Sequence, residues 1–344
     1  MTSEEHNAVL LADPYIRKSS AANPYFLEQF YSESRLHHLS TWKAELKSRI
    51  QRMAAEKWLK VARHGLADRR YIPHVDFDRF FCAVSLKKAP EYINKPAVVA
   101  HGTGSGSDIA SCNYPARKFG IKNGMWMRRA LELCPNLKVL PYDFPAYKET
   151  SELFYSVIFE FGGVVQSVSV DEALVDITAI VLGTAKSNEG SLRKEQDEAD
   201  KIATIVRKQV KDKTGCDVSI GIAGNVLLAK VALRNAKPAG QYQIRPEDVM
   251  DALADLKVEA LPGVAHNIAM KLKEIDVEFV KDIRQISKGR LISVLGPKTG
   301  EKLWDYSQGI DQSAVGDQPP RKSVSAGVNW GIRFTNQEQA DGFV

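Results

Sequence analysis

The chain has 344 residues, 44% of them hydrophobic, enough for two or three packed domains and too apolar for a disordered polymer. Lys and Arg number 47 against 42 for Asp and Glu, so the net charge of +5 excludes no partner class by itself. No apolar run approaches the roughly 20 residues of a membrane span, and the N-terminus lacks an apolar leader, so the protein is expected to be soluble, intracellular and without a membrane partner.

Residues 1–33 are polar, with Asp13-Pro14 and Asn23-Pro24 as breakers, and read as a flexible arm. Ser40 caps a predicted helix whose apolar face runs Trp42, Leu46, Ile50, Met53 and Trp58, with Gly65 ending it. A strand is predicted over Tyr71–Phe77, which must tolerate Pro73 and finishes on two aspartates, and a second over Pro96–Ala100. From about 100 to 150 the chain reads as helical, basic and broken by glycines, a small insertion interrupting a sheet. Ser111 to Ala130 holds five basic residues and no acidic one, and Asn225 to Arg245 holds four and none. Such stretches suit a polyanion, or a solvated face. A helix near 147–161, a hairpin near 164–178, a helix near 199–213 and a strand near 217–222 complete the order β, α, β, β, α, β. Gly183–Glu195 reads as a solvent loop. Beyond Asp248 the chain is helical to about 316, and Pro319-Pro320 precedes the strand-like Ser323–Phe334. The cysteines Cys82, Cys112, Cys134 and Cys216 form no CxxC pair and are expected to be reduced thiols.

Three carboxylates terminate or follow apolar strands: Asp76 in Val-Asp-Phe-Asp, and Asp171 with Glu172 in Ser-Val-Asp-Glu-Ala. Taken singly, such acids are caps or surface groups as readily as ligands. Adjacent acids in a sheet repel unless a cation lies between them, and hard oxygen donors favour Mg²⁺ or Mn²⁺. Two such ions about 3.5–4 Å apart activate a hydroxyl and stabilise a leaving pyrophosphate. Ser111, Tyr114 and Arg117 recur at helical spacing, so a hydroxyl, a phenol and a guanidinium share one face that suits a triphosphate, or form an ordinary amphipathic turn. Lys237 before Pro238 offers a further phosphate charge, and Lys230 a weaker one. Leu261-Pro262-Gly263-Val264 with Ile268 and Leu272 reads as helix, tight turn, helix, either a plain hairpin or a helix-hairpin-helix whose Gly263 turn amides bind a DNA phosphate.

With these pieces in order the chain resembles the Y-family translesion DNA polymerases, through Val75-Asp76-Phe77-Asp78, Phe80-Phe81, Tyr114 to Arg117, Ser169 to Glu172, Ser219 to Lys237 and the Leu-Pro-Gly hairpin. The resemblance implies an α+β right-hand polymerase with a ferredoxin-like (βαββαβ) palm, a small fingers insertion and a helical thumb, its last, little-finger domain largely missing. It divides the chain into a flexible arm (1–33), an N-terminal helical element (34–66), palm (67–99 and 147–247), fingers (100–146), thumb (248–317) and the start of a truncated little finger (318–344). It implies that Asp76, Asp171, Glu172 and the Phe77 carbonyl hold two Mg²⁺ ions, with Mn²⁺ as the substitute, while Ser111, Tyr114, Arg117 and Lys237 hold the triphosphate. Phe81 falls at the steric-gate position that rejects ribonucleotides, or is simple core. Gly263 and Lys230 would meet DNA.

A narrower resemblance, carried by Ser34 to Lys43, is to the deoxycytidyl-transferase branch of that family. It implies that Leu36 fills the space of an evicted template guanine and that Arg35 pairs with the incoming base. Arginine carries only donors, and cytosine alone presents two neighbouring acceptors on its pairing edge. The implied function is transfer of dCMP from dCTP to the primer of a primer-template DNA, opposite guanine or an abasic site, in the nucleus, with other translesion polymerases recruited through segments absent from this chain. The alternatives are a Y-family polymerase without dCTP preference, a nucleotidyl cyclase, against which the hairpin argues, and a non-catalytic DNA-binding scaffold.

Overall fold

The computed structural model describes residues 2–58, 69–104, 106–184, 191–316, 327–328, 331–334 and 336–343. They fall into two compact units, Met1–Leu46 with Gln318–Val344, and Lys47–Asp317.

The larger unit is built on a five-stranded sheet. In chain order its strands are β1 (Ile72–Phe77), β5 (Val164–Ser167), β6 (Glu172–Asp176), β7 (Val218–Ala223) and β8 (Gln241–Gln243); β2 (Ala97–Val99), β3 (Ser111–Cys112) and β4 (Lys138–Leu140) form a separate sheet. The order β5-β6-β1-β7-β8 puts β1 between two antiparallel neighbours, with β8 added in parallel at the edge. The first four of these strands, with the helices Phe144–Phe161 and Ser191–Thr214 as crossovers, make the expected βαββαβ unit. Side chains alternate across β1. Pro73 and Val75 face Ile158, Phe161, Ile202 and Val206 of the two crossover helices, whereas Ile72 packs with Leu174 and with Leu227 and Leu228 of the helix Val226–Ala236. Pro73 is tolerated inside a central strand because β1 pairs with β6 only from His74 onward. Phe77 donates to the Asp171 carbonyl on the β6 side, so Pro73, four residues earlier, faces the same side beyond the last pair. Gly221 of β7 lies under the helix Val226–Ala236, where a Cβ would stand 2.5 Å from the Ala229 carbonyl oxygen.

The insertion holds more than helix. β2 runs antiparallel to β3 and parallel to β4, over a small core of Val98, Ile109, Cys112, Ile121 and Met127. The strand expected over Pro96–Ala100 therefore belongs to the insertion, and the expected boundary at 99/100 falls too late. β-branched Val98 and Val99 give a strand either way; which sheet receives it is decided by partners distant in sequence. The helical region beyond 248 packs Leu253, Leu261, Leu272, Val280, Leu291 and Leu303 into one core, continuous with the Ile72 face of the palm sheet. The expected solvent loop 183–195 is partly helix, since Ser191–Thr214 begins inside it.

The smaller unit corrects two further expectations. Residues 1–33 carry the helices Ser3–Leu11, Pro14–Lys18 and Phe26–Glu33, the first closed by a Thr2/Glu5 capping box. Phe26 and Phe30 are buried, Ala21 donates to the Gly331 carbonyl at 2.8 Å, and Asn7 reaches the Phe334 carbonyl at 3.1 Å. The arm is thus packed against its own unit rather than free. The next helix runs Arg35–Trp58 and starts before Ser40, because the Ser34 hydroxyl accepts from the His37 amide. Gly65 lies outside the described residues. Of the strand expected over Ser323–Phe334, residues 327–328 and 331–334 are described, and none is in a strand.

Candidate active site

Register alone assembles the acids. β1 and β6 pair so that Asp76 stands directly across from Glu172, on the sheet face away from the crossover helices, and the Phe77 amide donates to the Asp171 carbonyl at 3.1 Å. The turn between β5 and β6 is held by buried Tyr155, whose hydroxyl reaches the carbonyls of Ser169 at 2.7 Å and Glu172 at 2.8 Å. Ser169 donates to Asp171 at 2.5 Å.

Two side chains compensate this negative charge. Lys237 follows the helix Val226–Ala236, with its peptide to Pro238 cis, and its ammonium contacts the Asp76 carboxylate and lies 3.4 Å from the Phe77 carbonyl. Buried His74 pairs its Nε2 with Glu172. Burial, reinforced by Asp171, pushes Asp76 up to about 7 against the pull of Lys237. Burial also raises Asp171, with Glu172 adding to it. Glu172 is pushed up by burial but more strongly down by His74, Lys230 and Lys237, and ends below the usual carboxylate range.

These contacts bear on cation binding. Among the described residues no group of three or more His, Cys, Asp or Glu is closed into a metal cage. Lys237 stands where a cation would sit on Asp76 and the Phe77 carbonyl, and Glu172 is turned toward His74. The donor set nevertheless fits a hard divalent ion: three carboxylates and a carbonyl, no sulfur, with burial raising two of the acids.

The remaining sequence candidates divide. Tyr114 and Arg117 share the short helix Tyr114–Arg117, which Asn113 caps by accepting from the Ala116 amide at 2.9 Å. The guanidinium groups of Arg79 and Arg117 lie 5.0 Å and 5.2 Å from the centre of the Tyr114 ring. Ser111 is not on this helical face. It is a residue of β3, 3% exposed, and its hydroxyl accepts from the Cys82 amide. Asn113 breaks the assumed periodicity, because the residue before a cap is extended. Phe81 is half-buried, with its ring centroid 4.7 Å from Tyr147 and 5.5 Å from Phe80. Lys230 is half-buried and acts electrostatically on Glu172, so its charge falls at the acids. Gly263 has φ +90, a left-handed turn before the helix His266–Lys273. Arg35 and Leu36 begin their helix in the smaller unit, Leu36 being 67% exposed.

Sequence reasoning assigned nothing to His74, Tyr155, Asp78 or Arg79. Asp78 was visible as the second acid of Val-Asp-Phe-Asp, without a task. Nothing in the sequence marks Arg79, a non-glycine residue in left-handed conformation (φ 52, ψ 48).

The profile of the impB/mucB/samB family matches residues 75–234, and that of the DNA polymerase-iota thumb domain matches residues 259–311. The chain belongs to this family, the Y-family DNA polymerases, and shares their right-hand fold. It is 44% identical to DNA repair protein rev1 of Schizosaccharomyces pombe over 346 residues, covering 99% of this chain and 36% of that protein. It is 37% identical to DNA repair protein REV1 of Arabidopsis thaliana, covering 94% of this chain and 28% of that protein. DNA polymerase IV of Pasteurella multocida is 34% identical over 80% of this chain and 73% of its own length. Among solved structures, DinB from Sulfolobus solfataricus superposes with a TM-score of 0.62 at 29% identity, over 71% of this chain and 69% of that one. The chain thus spans about a third of the curated rev1 relatives' length. Among the described residues no helix is long and apolar enough to cross a membrane.

Proposed function

We propose that this chain carries the catalytic activity of a template-directed deoxycytidyl transferase in translesion synthesis, adding dCMP to a DNA primer opposite guanine or an abasic site. The observation that carries it is the pairing of Asp76 with Glu172, beside Asp171, on a Y-family palm sheet that also receives Lys237. Asp76, Asp171, Glu172 and the Phe77 carbonyl would hold two Mg²⁺ ions, with Mn²⁺ as a substitute. When bound there, they would supply charge that activates the primer hydroxyl and stabilises pyrophosphate.

The chain's own groups do the rest. Lys237 leaves Asp76 for the triphosphate, which Tyr114 and Arg117 also hold, the guanidinium as a two-pronged donor. Ser111, buried under the Cys82 amide, acts through the backbone of β3 and not as a ligand. Phe81 offers its exposed edge to the sugar and excludes a 2′-hydroxyl. Arg35 pairs with the cytosine edge, Leu36 takes the place of the template base, and Gly263 with its neighbouring amides and Lys230 serves the DNA. The same reading places the protein in the nucleus, with other translesion polymerases as its partners.

Primer extension with each nucleotide tests it. Asp171→Asn with Glu172→Gln should abolish incorporation at unchanged DNA affinity, and retained activity would remove the metal assignment. Arg35→Ala should narrow the preference for dCTP by roughly tenfold or more, the discrimination of one two-pronged base contact. An unchanged preference would leave a Y-family polymerase without base choice of its own.

A further inference from the structure

Asp78 is a buried carboxylate, 3% exposed, just past the end of β1. It takes no part in the acid cluster. Ser219 of β7 donates to it at 3.0 Å and the Ala239 amide at 2.5 Å, while the Tyr114 phenol of the fingers, raised by burial, lies near enough for the carboxylate to push it up further. Its own amide donates to the Asp217 carbonyl at 3.0 Å. The Lys237 ammonium stays 4.0 Å away, bound to Asp76. A buried carboxylate is costly unless donors and charge compensate it, and here the donors come from β7 and from the turn after the helix Val226–Ala236, with Lys237 at the edge of ion-pair range.

The backbone around it is unusual as well. Three described non-glycine residues have positive φ: Arg79 (φ 52), Ala239 (φ 48) and Asp276 (φ 58). Two of the three border this carboxylate, one following Asp78 in sequence and one donating its amide. A left-handed non-glycine residue costs about 1 kcal/mol or more and persists where surrounding contacts hold it. Arg79 in that conformation lays its guanidinium on the Tyr114 ring.

We propose that Asp78 is a positioning residue that clamps the Lys237–Ala239 turn of the palm and Tyr114 of the fingers to one point, and so sets the spacing of the triphosphate-binding groups before nucleotide arrives. This rests on the reading of Lys237, Tyr114 and Arg117 as triphosphate ligands. Asp78 itself touches neither nucleotide nor ion.

The test is steady-state incorporation of dCTP on primer-template, with nucleotide binding to the protein–DNA complex measured separately by titration. Asp78→Asn turns one acceptor into a donor facing the Ala239 amide. It should raise KM for dCTP and the measured Kd together by about tenfold, the loss of one charge-assisted hydrogen bond, with kcat falling less. Ser219→Ala, which leaves the carboxylate in place, should shift KM in the same direction by a smaller factor, and it carries the test should D78N not fold. Tyr114→Phe in the D78N background should add less than it does alone, because the phenol and the carboxylate act on each other. A normal KM in both D78N and S219A, or fully multiplicative effects of D78N and Y114F, overturns the clamp. Lys237→Ala and Arg117→Ala separate the two readings. If they raise KM while D78N does not, only the clamp fails; if neither raises KM, the triphosphate assignment fails with it.

Discussion

Asp76 pairs with an ammonium yet is pushed up to about 7, because burial beside Asp171 and Glu172 outweighs the single Lys237 charge. The consequence for stability has a definite sign. The unfolded chain loses this proton near pH 4 and the folded chain near 7, so between those values the native state binds more protons. Stability in metal-free buffer should therefore fall as pH rises from about 4 to about 7. Asp76→Asn should remove that loss, gaining roughly 1–3 kcal/mol at pH 8 and little at pH 4. Denaturation curves across pH, with chelator, check it, and parallel curves for the two proteins would contradict it. Glu172 works the other way: held low by His74, it contributes stability at neutral pH that is lost on acidification. Across one strand pair, burial thus raises Asp76 while His74 holds Glu172 down.

At the level of elements, the site depends on how tightly the helix Val226–Ala236 lies on β7, since that helix delivers Lys237. Gly221 permits the approach: a Cβ there would stand 2.5 Å from the Ala229 carbonyl oxygen and 2.6 Å from the Leu233 Cα. Backbone cannot yield as a flexible side chain does, so Gly221→Ala must lift the helix. It should cost roughly 2–4 kcal/mol, read as a lowered Tm, and should weaken nucleotide binding beyond what destabilisation explains, because Lys237 moves away with the helix. A glycine inside the strand-like run 217–222 was legible, but its neighbour was not. The same limit explains β2 and Ser111. Periodicity registers that a segment is extended or helical, while its sheet and its facing residues depend on partners far along the chain.

Across the whole molecule, a net charge of +5 is small, but the basic stretches Ser111–Ala130 and Asn225–Arg245 both fall in the larger unit, in the insertion and beside the acids. DNA affinity should therefore fall steeply with salt, by roughly 10³-fold or more between 50 and 200 mM if six or more phosphates are neutralised. A slope near zero in a plot of log affinity against log salt would contradict the reading of these stretches as a polyanion surface. The sequence by itself determined the βαββαβ order, the helical region beyond 248 and the three acids at strand ends, because alternation, helical spacing and turn residues are local signals. It also supplied the family resemblance, through short motifs that are specific only in combination. Tertiary structure decided the rest: Asp76 across from Glu172, His74 on Glu172, Lys237 on Asp76, and Asp78 joined to Ser219 and Ala239. It also turned the expected free arm into helices packed around Phe26 and Phe30. The strand and turn contacts of the site join residues about 100 or more positions apart, and those of the arm more than 300, separations at which no local pattern fixes what faces what.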